Sequence, residues 1–325
     1  MTEDSQYEYY DSRKDAAARQ ARRDALKKQR QAFRRGTLRS VFRHPLAIFG
    51  LSVILIMTFL ALIHPILMDT VWRPSIYDPQ TGFDPDQPYH PSFPSRTHFL
   101  GTDALGRDVF SQLLYAARTS LGVGLLAGFT AVLIALVIGV VAAYYGGWVD
   151  NTLMSIADTF LLMPPSIITL IVGLVFEKVT WVMMGLMFGV LAGLGSLAIT
   201  FKHQALSIRV KPYVDSARIS GASGRHIMVK HILPGMMSVM MVSMMFVVSQ
   251  AMMIEALISF YQGSEVRLSW GTMIYFIQST FYLSPYGAQW NAILPPALAI
   301  TLLCAAFYML GRALDEIFNP RLRQR

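Results

Sequence analysis

The sequence predicts an all-α membrane protein with six transmembrane helices and with both chain ends in the cytoplasm. Hydrophobic residues make up 54% of the chain, and charged residues make up 15%, well below the roughly 25% of soluble domains. Six apolar stretches, nearly free of charge, are each long enough to cross a hydrocarbon core about 30 Å thick. All but six of the 28 lysines and arginines fall on one side of these spans, which identifies that side as cytoplasmic.

The first 44 residues form a basic tail on the cytoplasmic side. Twelve lysines and arginines lie between Arg13 and Arg43, among residues that favour helices. A basic surface helix on anionic membrane lipid accounts for this composition. A solvated, partly disordered tail accounts for it equally well.

The spans and loops follow one another along the rest of the chain. The first span is predicted at 45–68, and a hydrophilic, proline-rich connection at 69–118 follows it on the outer face. A membrane core is predicted at 119–312, and a cytoplasmic tail at 313–325. Consecutive prolines at 164–165 must interrupt or kink the third span, because proline removes a helical hydrogen bond. The spans predicted within the core are 121–145, 159–176, 179–201, 236–260 and 292–311.

Several kinds of chemistry are absent from the sequence. No GxxxxGK[ST] phosphate loop is present, so any ATP must bind to a partner subunit rather than to this chain. The seven histidines show no metal-ligand spacing, and a single cysteine, Cys304, cannot form an internal disulfide. The basic residues flank the spans, so their number does not indicate nucleic-acid binding. We therefore expect a transport protein rather than an enzyme, with no metal and no cofactor in this chain.

A polar segment at 211–235 lies between the fourth and fifth spans. Pro212 suits the first turn of a helix, and Asp215 lies where the helix dipole favours an anion. Gly221 marks a bend, because glycine accepts backbone angles that other residues avoid. Pro234 suits the start of the next helix. The pattern predicts two short helices joined by a bend at the cytoplasmic surface, although composition alone also fits an ordinary basic loop.

This segment resembles the signature loop of ABC importer permeases. Asp215 replaces the usual Glu of that signature, Ser216 replaces Ala, and His231 replaces Ile. The resemblance implies a coupling loop at 203–234 that docks into a groove on a cytoplasmic ATPase. The residues that it places at this contact are Asp215, Ser216, Ala217, Gly221, His231, Leu233 and Pro234.

A second block, on the outer side, resembles the oligopeptide and dipeptide permeases, which carry a near-identical run just before their second membrane helix. The two glycines of this block permit tight turns. Its three charged side chains predict an ion-pair cluster that fixes the outer loop, and contact with a substrate-binding protein is the functional alternative. The block consists of Gly101, Thr102, Asp103, Gly106, Arg107 and Asp108. Gly-Gly-Trp-Val-Asp at 146–150 and Ser-Trp-Gly at 269–271 extend the resemblance along the core.

Three residues of the fifth span are candidates for the translocation pathway. Glu255 is the one acidic residue deep in an apolar run, so it must face protein or water. A pore-lining group that meets a peptide's amino end is one interpretation, and a buried hydrogen-bond anchor is the other. Met241 and Met245 belong to a methionine repeat that suits either a promiscuous pore lining or a helix–helix interface.

The resemblance as a whole implies the permease subunit of an ATP-driven importer with a six-helix type I architecture, in a bacterial or archaeal cell membrane. It implies peptides as substrate, delivered by an extracytoplasmic binding protein. A homologous second permease would complete the membrane part, and two ATPase subunits would bind ATP and magnesium. Two alternatives remain open: a non-peptide solute such as a nickel chelate or an oligosaccharide, and an ion-coupled secondary transporter, which would need ionisable groups on several helices.

Overall fold

A computed structural model describes residues 40–176, 179–262, 268–280 and 290–318 of the chain. The regular secondary structure of this part is helical, and apart from one isolated bridge between Thr102 and Asp108 the described residues contain no β-structure. The predicted all-α class is therefore confirmed for the described residues. The basic tail up to residue 39, and the C-terminal tail from residue 319, lie outside them.

The first helix, α1 (Pro45–Thr70), is a membrane span with an internal proline. It has 26 residues and is therefore about 39 Å long. Pro65 has no N–H, so the carbonyl of Ala61 loses its usual helical partner. The Nε–H of Arg118 donates to this carbonyl at 2.8 Å, which satisfies it and ties α1 to the next long helix.

The outer connection contains one short helix, α2 (Pro74–Tyr77), and ends at Asp108. The second long helix, α3 (Val109–Tyr145), therefore starts well before the predicted span at 121–145. It starts there because the Asp108 carboxylate accepts from the backbone N–H of Ser111 at 2.6 Å, which caps the helix. The last residues of the predicted outer loop are thus the first turns of α3.

Two helix pairs are bent at short breaks. The pair α4 (Gly147–Leu161) and α5 (Pro165–Val175) meets at 64°, at the predicted proline break. The pair α6 (Trp181–Leu194) and α7 (Ser196–Arg209) meets at 49°, around Gly195, where no break was predicted. Within the described residues, four single helices are long and apolar enough to span a membrane by themselves, and counting each bent pair as one span gives up to six candidate spans.

The second half of the chain begins with the predicted coupling segment. It consists of α8 (Pro212–Ile219), α9 (Gly224–Ile227) and a π-helical turn (Met228–Ile232). The turn leads directly into a long helix, so that 224–262 is one helical run. The remaining helices are α10 (Leu233–Gln262), α11 (Trp270–Thr280) and α12 (Trp290–Phe318).

The core sits around α3, which packs against α1, α6, α7 and α10. Small residues permit these contacts, as is usual where membrane helices approach closely. A Cβ at Gly189 of α6 would lie 2.8 Å from the carbonyl oxygen of Ala127 on α3. A Cβ at Gly139 of α3 would lie 2.7 Å from the backbone nitrogen of Lys202 on α7. The helix α3 therefore joins the first span to the helices of the membrane core.

Candidate coupling surface and translocation residues

The coupling segment bends where the sequence places Gly221. This glycine has φ +77°, and a Cβ built on it would meet nothing within 4 Å, so the backbone angle is the constraint and not the space. Ser223 then caps α9, its hydroxyl accepting from the N–H of His226 at 3.4 Å. The predicted arrangement of two short helices joined by a bend is present.

Buried side chains hold the coupling segment on the helix bundle. Val214 of α8, Ile227 of α9 and Ile232 of the π-helical turn are fully buried in one apolar cluster, which also contains Phe201 and Ile208 of α7. One side of the coupling segment is therefore anchored to the membrane helices. A push on the segment would reach α7 and the cytoplasmic end of α3 through these contacts.

The other side of the segment is an exposed surface of mixed character. Ile219 is 88% exposed, and Tyr213 and Val229 are also exposed. Arg218, Arg225 and Lys230 add positive charge on the same segment. We call these six residues the coupling surface. Exposed apolar side chains next to basic groups, at the cytoplasmic end and not along the spans, are typical of a protein-binding surface.

The seven predicted coupling residues lie on or beside this surface. Asp215 pairs with Arg218 at 3.4 Å, but both side chains are about half exposed, so the pair contributes little to stability. The His231 ring lies 6.1 Å from the Tyr213 ring and 5.9 Å from the His226 ring. Asp215, Ser216, Gly221 and Pro234 are exposed, and Ala217, His231 and Leu233 are half-buried.

The outer block forms two separate charged clusters instead of the single one predicted. Gly101 and Gly106 adopt φ +80° and +82°, as tight turns require. Asp103 pairs with Arg107 at 2.7 Å. Asp108, however, takes no part in this pair, because its carboxylate caps α3 and binds His98 at 2.8 Å.

His98 is a buried charged residue of the outer loop whose role the sequence does not predict. Its side chain is 0% exposed, with Nδ1 at 2.8 Å from Asp108 and Nε2 at 3.0 Å from Asp84. Ionised carboxylates only accept hydrogen bonds, so with Asp84 and Asp108 ionised both ring nitrogens donate and the ring is the imidazolium. The hydrogen bond to Asp108, opposed by burial and supported by the one to Asp84, raises the pKa of His98. Although burial opposes it, the hydrogen bonds from His98 and the Asp86 N–H lower the pKa of Asp84.

The outer block also holds the second half of the membrane core. The Arg107 guanidinium lies 4.8 Å from the centroid of the Phe276 ring on α11. The Asn291 amide at the start of α12 donates to the carbonyl of Leu100 at 2.9 Å. The indole N–H of Trp270 donates to the carbonyl of Leu113 at 3.1 Å. Residues 100–113, which include the block, therefore contact α11 and α12 and act as a brace for the transport core.

Glu255 is buried among helices in this structure and is held there by hydrogen bonds. It is 1% exposed, and its carboxylate accepts from Ser120 on α3 at 3.1 Å and from Ser259 at 2.7 Å. The helix α11 presses against the same stretch, since a Cβ at Gly271 would collide with the carbonyl oxygen of Ala256. Tertiary packing thus covers the carboxylate in this structure, as the buried-anchor interpretation requires, and a pathway role for Glu255 stays a prediction.

The methionines of the fifth span do not share one environment. Met236 is fully buried. Met245 packs against α12, since a Cβ added at Gly311 of α12 would lie 3.2 Å from the Cβ of Met245. The helix–helix interpretation therefore holds for these two. Met241 is 41% exposed. It lines an apolar groove between α3 and α10, together with Phe129, Val132, Leu133, Leu136, Met237, Met240 and Met244.

Comparisons with known proteins agree with this architecture. Residues 135–324 match the family described as binding-protein-dependent transport system inner membrane component. Residues 33–91 match the N-terminal transmembrane domain of oligopeptide transport permease C. The second match covers the first span and part of its outer loop, and the first match covers most of the membrane core. The structure shows these two segments in contact, because α1 packs against α3 and α12.

Individual proteins are similar along most of their length. The dipeptide transport system permease protein of Bacillus subtilis is 29% identical over 93% of this chain and 90% of its own. A putative peptide permease protein of Brucella suis is 30% identical over 85% of this chain and 87% of its own. The glutathione transport system permease protein of Pectobacterium atrosepticum is 30% identical over 76% of this chain and 80% of its own.

The family match covers more than half of the chain, and the similar proteins extend over nearly all of it. The structure adds a multi-pass helical membrane core with a basic, exposed coupling surface. A binding-protein-dependent system implies a binding protein and an ATPase as partners of its membrane component. The chain therefore belongs to the binding-protein-dependent transport system inner membrane component family, as a C-type permease subunit of an ABC importer and not as its ATPase.

Proposed function

We propose that this chain moves di- or oligopeptides across the cell membrane, as one half of a pair with a homologous permease. Two ATPase subunits bind ATP and magnesium on the cytoplasmic side, and an extracytoplasmic binding protein delivers the peptide. The names of the similar proteins, which cite dipeptides, glutathione and peptides, support this substrate class.

The observation that carries the proposal is the two-sided coupling segment. The side that faces the cytoplasm exposes Tyr213, Ile219 and Val229 to a partner. Side chains on the opposite side are fully buried against α7 and α3. A displacement of a docked ATPase therefore moves the membrane helices as a body. Rigid-body movement of this kind requires no covalent chemistry in the permease itself.

Substitution of Gly221 tests the coupling role. We expect Gly221→Trp to abolish substrate-stimulated ATP hydrolysis by the assembled complex, because the indole would project from the bend into the docking groove. Gly221→Ala is the matched control, since it imposes the same unfavourable φ with almost no bulk. Normal coupled transport by the Trp variant, with a folded complex, would rule out this segment as the point of transmission.

The substrate class is tested separately by uptake into vesicles that contain the whole complex and its binding protein. A labelled dipeptide and a labelled tripeptide should accumulate with ATP, and an excess of unlabelled peptide should compete. If a labelled nickel chelate or oligosaccharide accumulates with ATP and unlabelled peptide does not compete with it, the substrate is a non-peptide solute. Uptake driven by an ion gradient without any ATPase would support the secondary-transport alternative.

A further inference from the structure

A polar side chain is exposed in the outer half of a membrane span. Gln250 lies on α10 and is exposed, and its amide makes no hydrogen bond to any of the residues that the structure describes. An amide that faces hydrocarbon without a partner costs several kcal/mol, on the order of a lost hydrogen bond or more. Gln250 must therefore face water, a substrate or another subunit.

Gln250 belongs to an exposed face of α10. Residues three, seven and eleven positions later fall on the same side of a helix with 3.6 residues per turn. These are Met253, Leu257 and Tyr261, and all three are exposed, Met253 and Tyr261 to 62% each. We call these four residues the outer face of α10. Met241 stands nine residues before Gln250 and hence on the opposite side of the helix.

The outer face leads into a cavity of about 610 Å³ at the outer end of the span. Tyr261 belongs to both. The volume lies within the range of roughly 300–1,000 Å³ that is common for small-molecule sites. None of the described residues that line the cavity carries a charge, and these residues are Phe260, Tyr261, Ile274, Tyr275, Gln278, Ser279 and Ile293.

We propose that the outer face of α10 and this cavity line the outer half of the translocation pathway and hold a peptide by its main chain. The inference rests on the proposed function, and it names the residues that meet the substrate. The side-chain amides of Gln250 and Gln278 both donate and accept, as the peptide main chain requires. Tyrosine and methionine side chains offer apolar surface that adapts to different residues of the cargo. The described residues of this wall carry no charge, so they bind through groups that every peptide has.

Thiol accessibility tests the lining independently of transport. In a Cys304→Ser background, Gln250→Cys and Met253→Cys are placed on the outer face, and Met241→Cys is the matched control on the opposite side. The assembled complex in membranes is treated from outside with a membrane-impermeant thiol reagent. We expect the two outer-face cysteines to react at least ten times faster than the control, and added peptide to slow them.

Three results would overturn the lining. Absence of reaction at both outer-face cysteines, in every nucleotide state, would place the face against lipid or protein. A short bifunctional reagent could cross-link Gln250→Cys to a partner subunit while the impermeant thiol reagent fails to label it. The outer face of α10 would then be a subunit interface. Faster labelling of Met241→Cys than of Gln250→Cys would reverse the assignment in favour of the groove between α3 and α10.

A charge introduced on the outer face tests the neutral character of the wall. We expect Gln250→Glu to change the ratio of cationic to anionic tripeptide uptake by about tenfold in favour of the cationic peptide, whereas the unmodified protein discriminates little. An unchanged ratio in a variant that still transports would overturn the proposal. If the outer-face cysteines are labelled and only a non-peptide solute protects them, the lining stands and the peptide assignment fails.

Discussion

The buried His98 in the outer loop is the strongest test of the electrostatic reasoning. Its imidazolium lies between the carboxylates of Asp84 and Asp108, both of which are themselves buried. His98→Gln removes the positive charge and leaves two buried carboxylates without a counter-charge. We expect the loop to open locally, since it is fixed to the start of α3 through Asp108.

The size of the effect follows from the burial of the pair. Breaking a buried ion pair by removing one partner costs about 3–5 kcal/mol, because the remaining charge stays desolvated. At about 1.4 kcal/mol per factor of ten, this raises the opening equilibrium of the loop by at least about a hundredfold. His90→Gln is the control, because the hydrogen bonds of the His90 ring go to two neutral groups, the Thr102 hydroxyl and a backbone carbonyl. Its loss should cost about 0.5–1.5 kcal/mol.

The assay is limited proteolysis of the outer loop in right-side-out vesicles. Under conditions in which opening is fast relative to cleavage, the cleavage rate reports the open population. We expect cleavage within 78–108 to be at least about a hundred times faster in His98→Gln than in the unmodified protein, and roughly ten times faster at most in His90→Gln. Equal cleavage rates in the two variants would refute the claim that a buried charge holds this loop.

The same cluster predicts how loop stability depends on pH. The pKa of His98 is raised, so its stabilisation is fully present below about 6.5, the ordinary histidine value, and is lost as pH rises through the raised pKa. The pKa of Asp84 is lowered, so its contribution is present above about 3.9 and is lost as pH falls through the lowered pKa. Loop cleavage should therefore accelerate on the alkaline side in the unmodified protein and lose this dependence in His98→Gln. A cleavage rate independent of pH would contradict the assignment.

Four further substitutions, at three positions, test the packing of the core. Glu255→Gln should keep uptake near normal and Glu255→Leu should lower the melting temperature of the purified complex, whereas a substrate-binding role would abolish uptake in the Gln variant. Gly271→Val should cause loss of folded complex in size-exclusion chromatography, because any side chain there collides with Ala256, and a normal yield would contradict that contact. Arg118→Leu should destabilise the complex by about 1.5–3 kcal/mol in denaturant titrations, because the Ala61 carbonyl loses a charged donor. No loss of stability would show that water satisfies this carbonyl instead.

Much of the fold follows from local features of the sequence. Span number and orientation depend on the length of apolar runs and on where lysines and arginines stand, and both are readable without contacts. The bend at 164–165 follows from two consecutive prolines, and the bend at Gly221 from a glycine in a polar segment. The start of α3 at Val109 was missed, although Asp108 is a good capping residue, because the preceding run reads as loop.

The burial and the hydrogen-bond partners of the candidate functional residues could not be predicted from local sequence features. Glu255 and Ser120 are 135 positions apart in sequence, and their hydrogen bond decides that the carboxylate is covered. The sequence shows a glutamine at position 250 within an apolar run, but only the packing of α10 shows that this side chain is exposed. Asp108 stands one residue after Arg107, and yet it binds His98 instead.

The sequence by itself therefore determined the class of protein, which the family match confirms, and it predicted six spans, their direction and the place of the coupling segment. These depend on transfer of whole segments into the membrane and on backbone angles, which are local quantities. Only the tertiary structure decided which polar groups are buried anchors and which remain exposed. That depends on which helix covers which face, and a one-dimensional pattern does not contain this information.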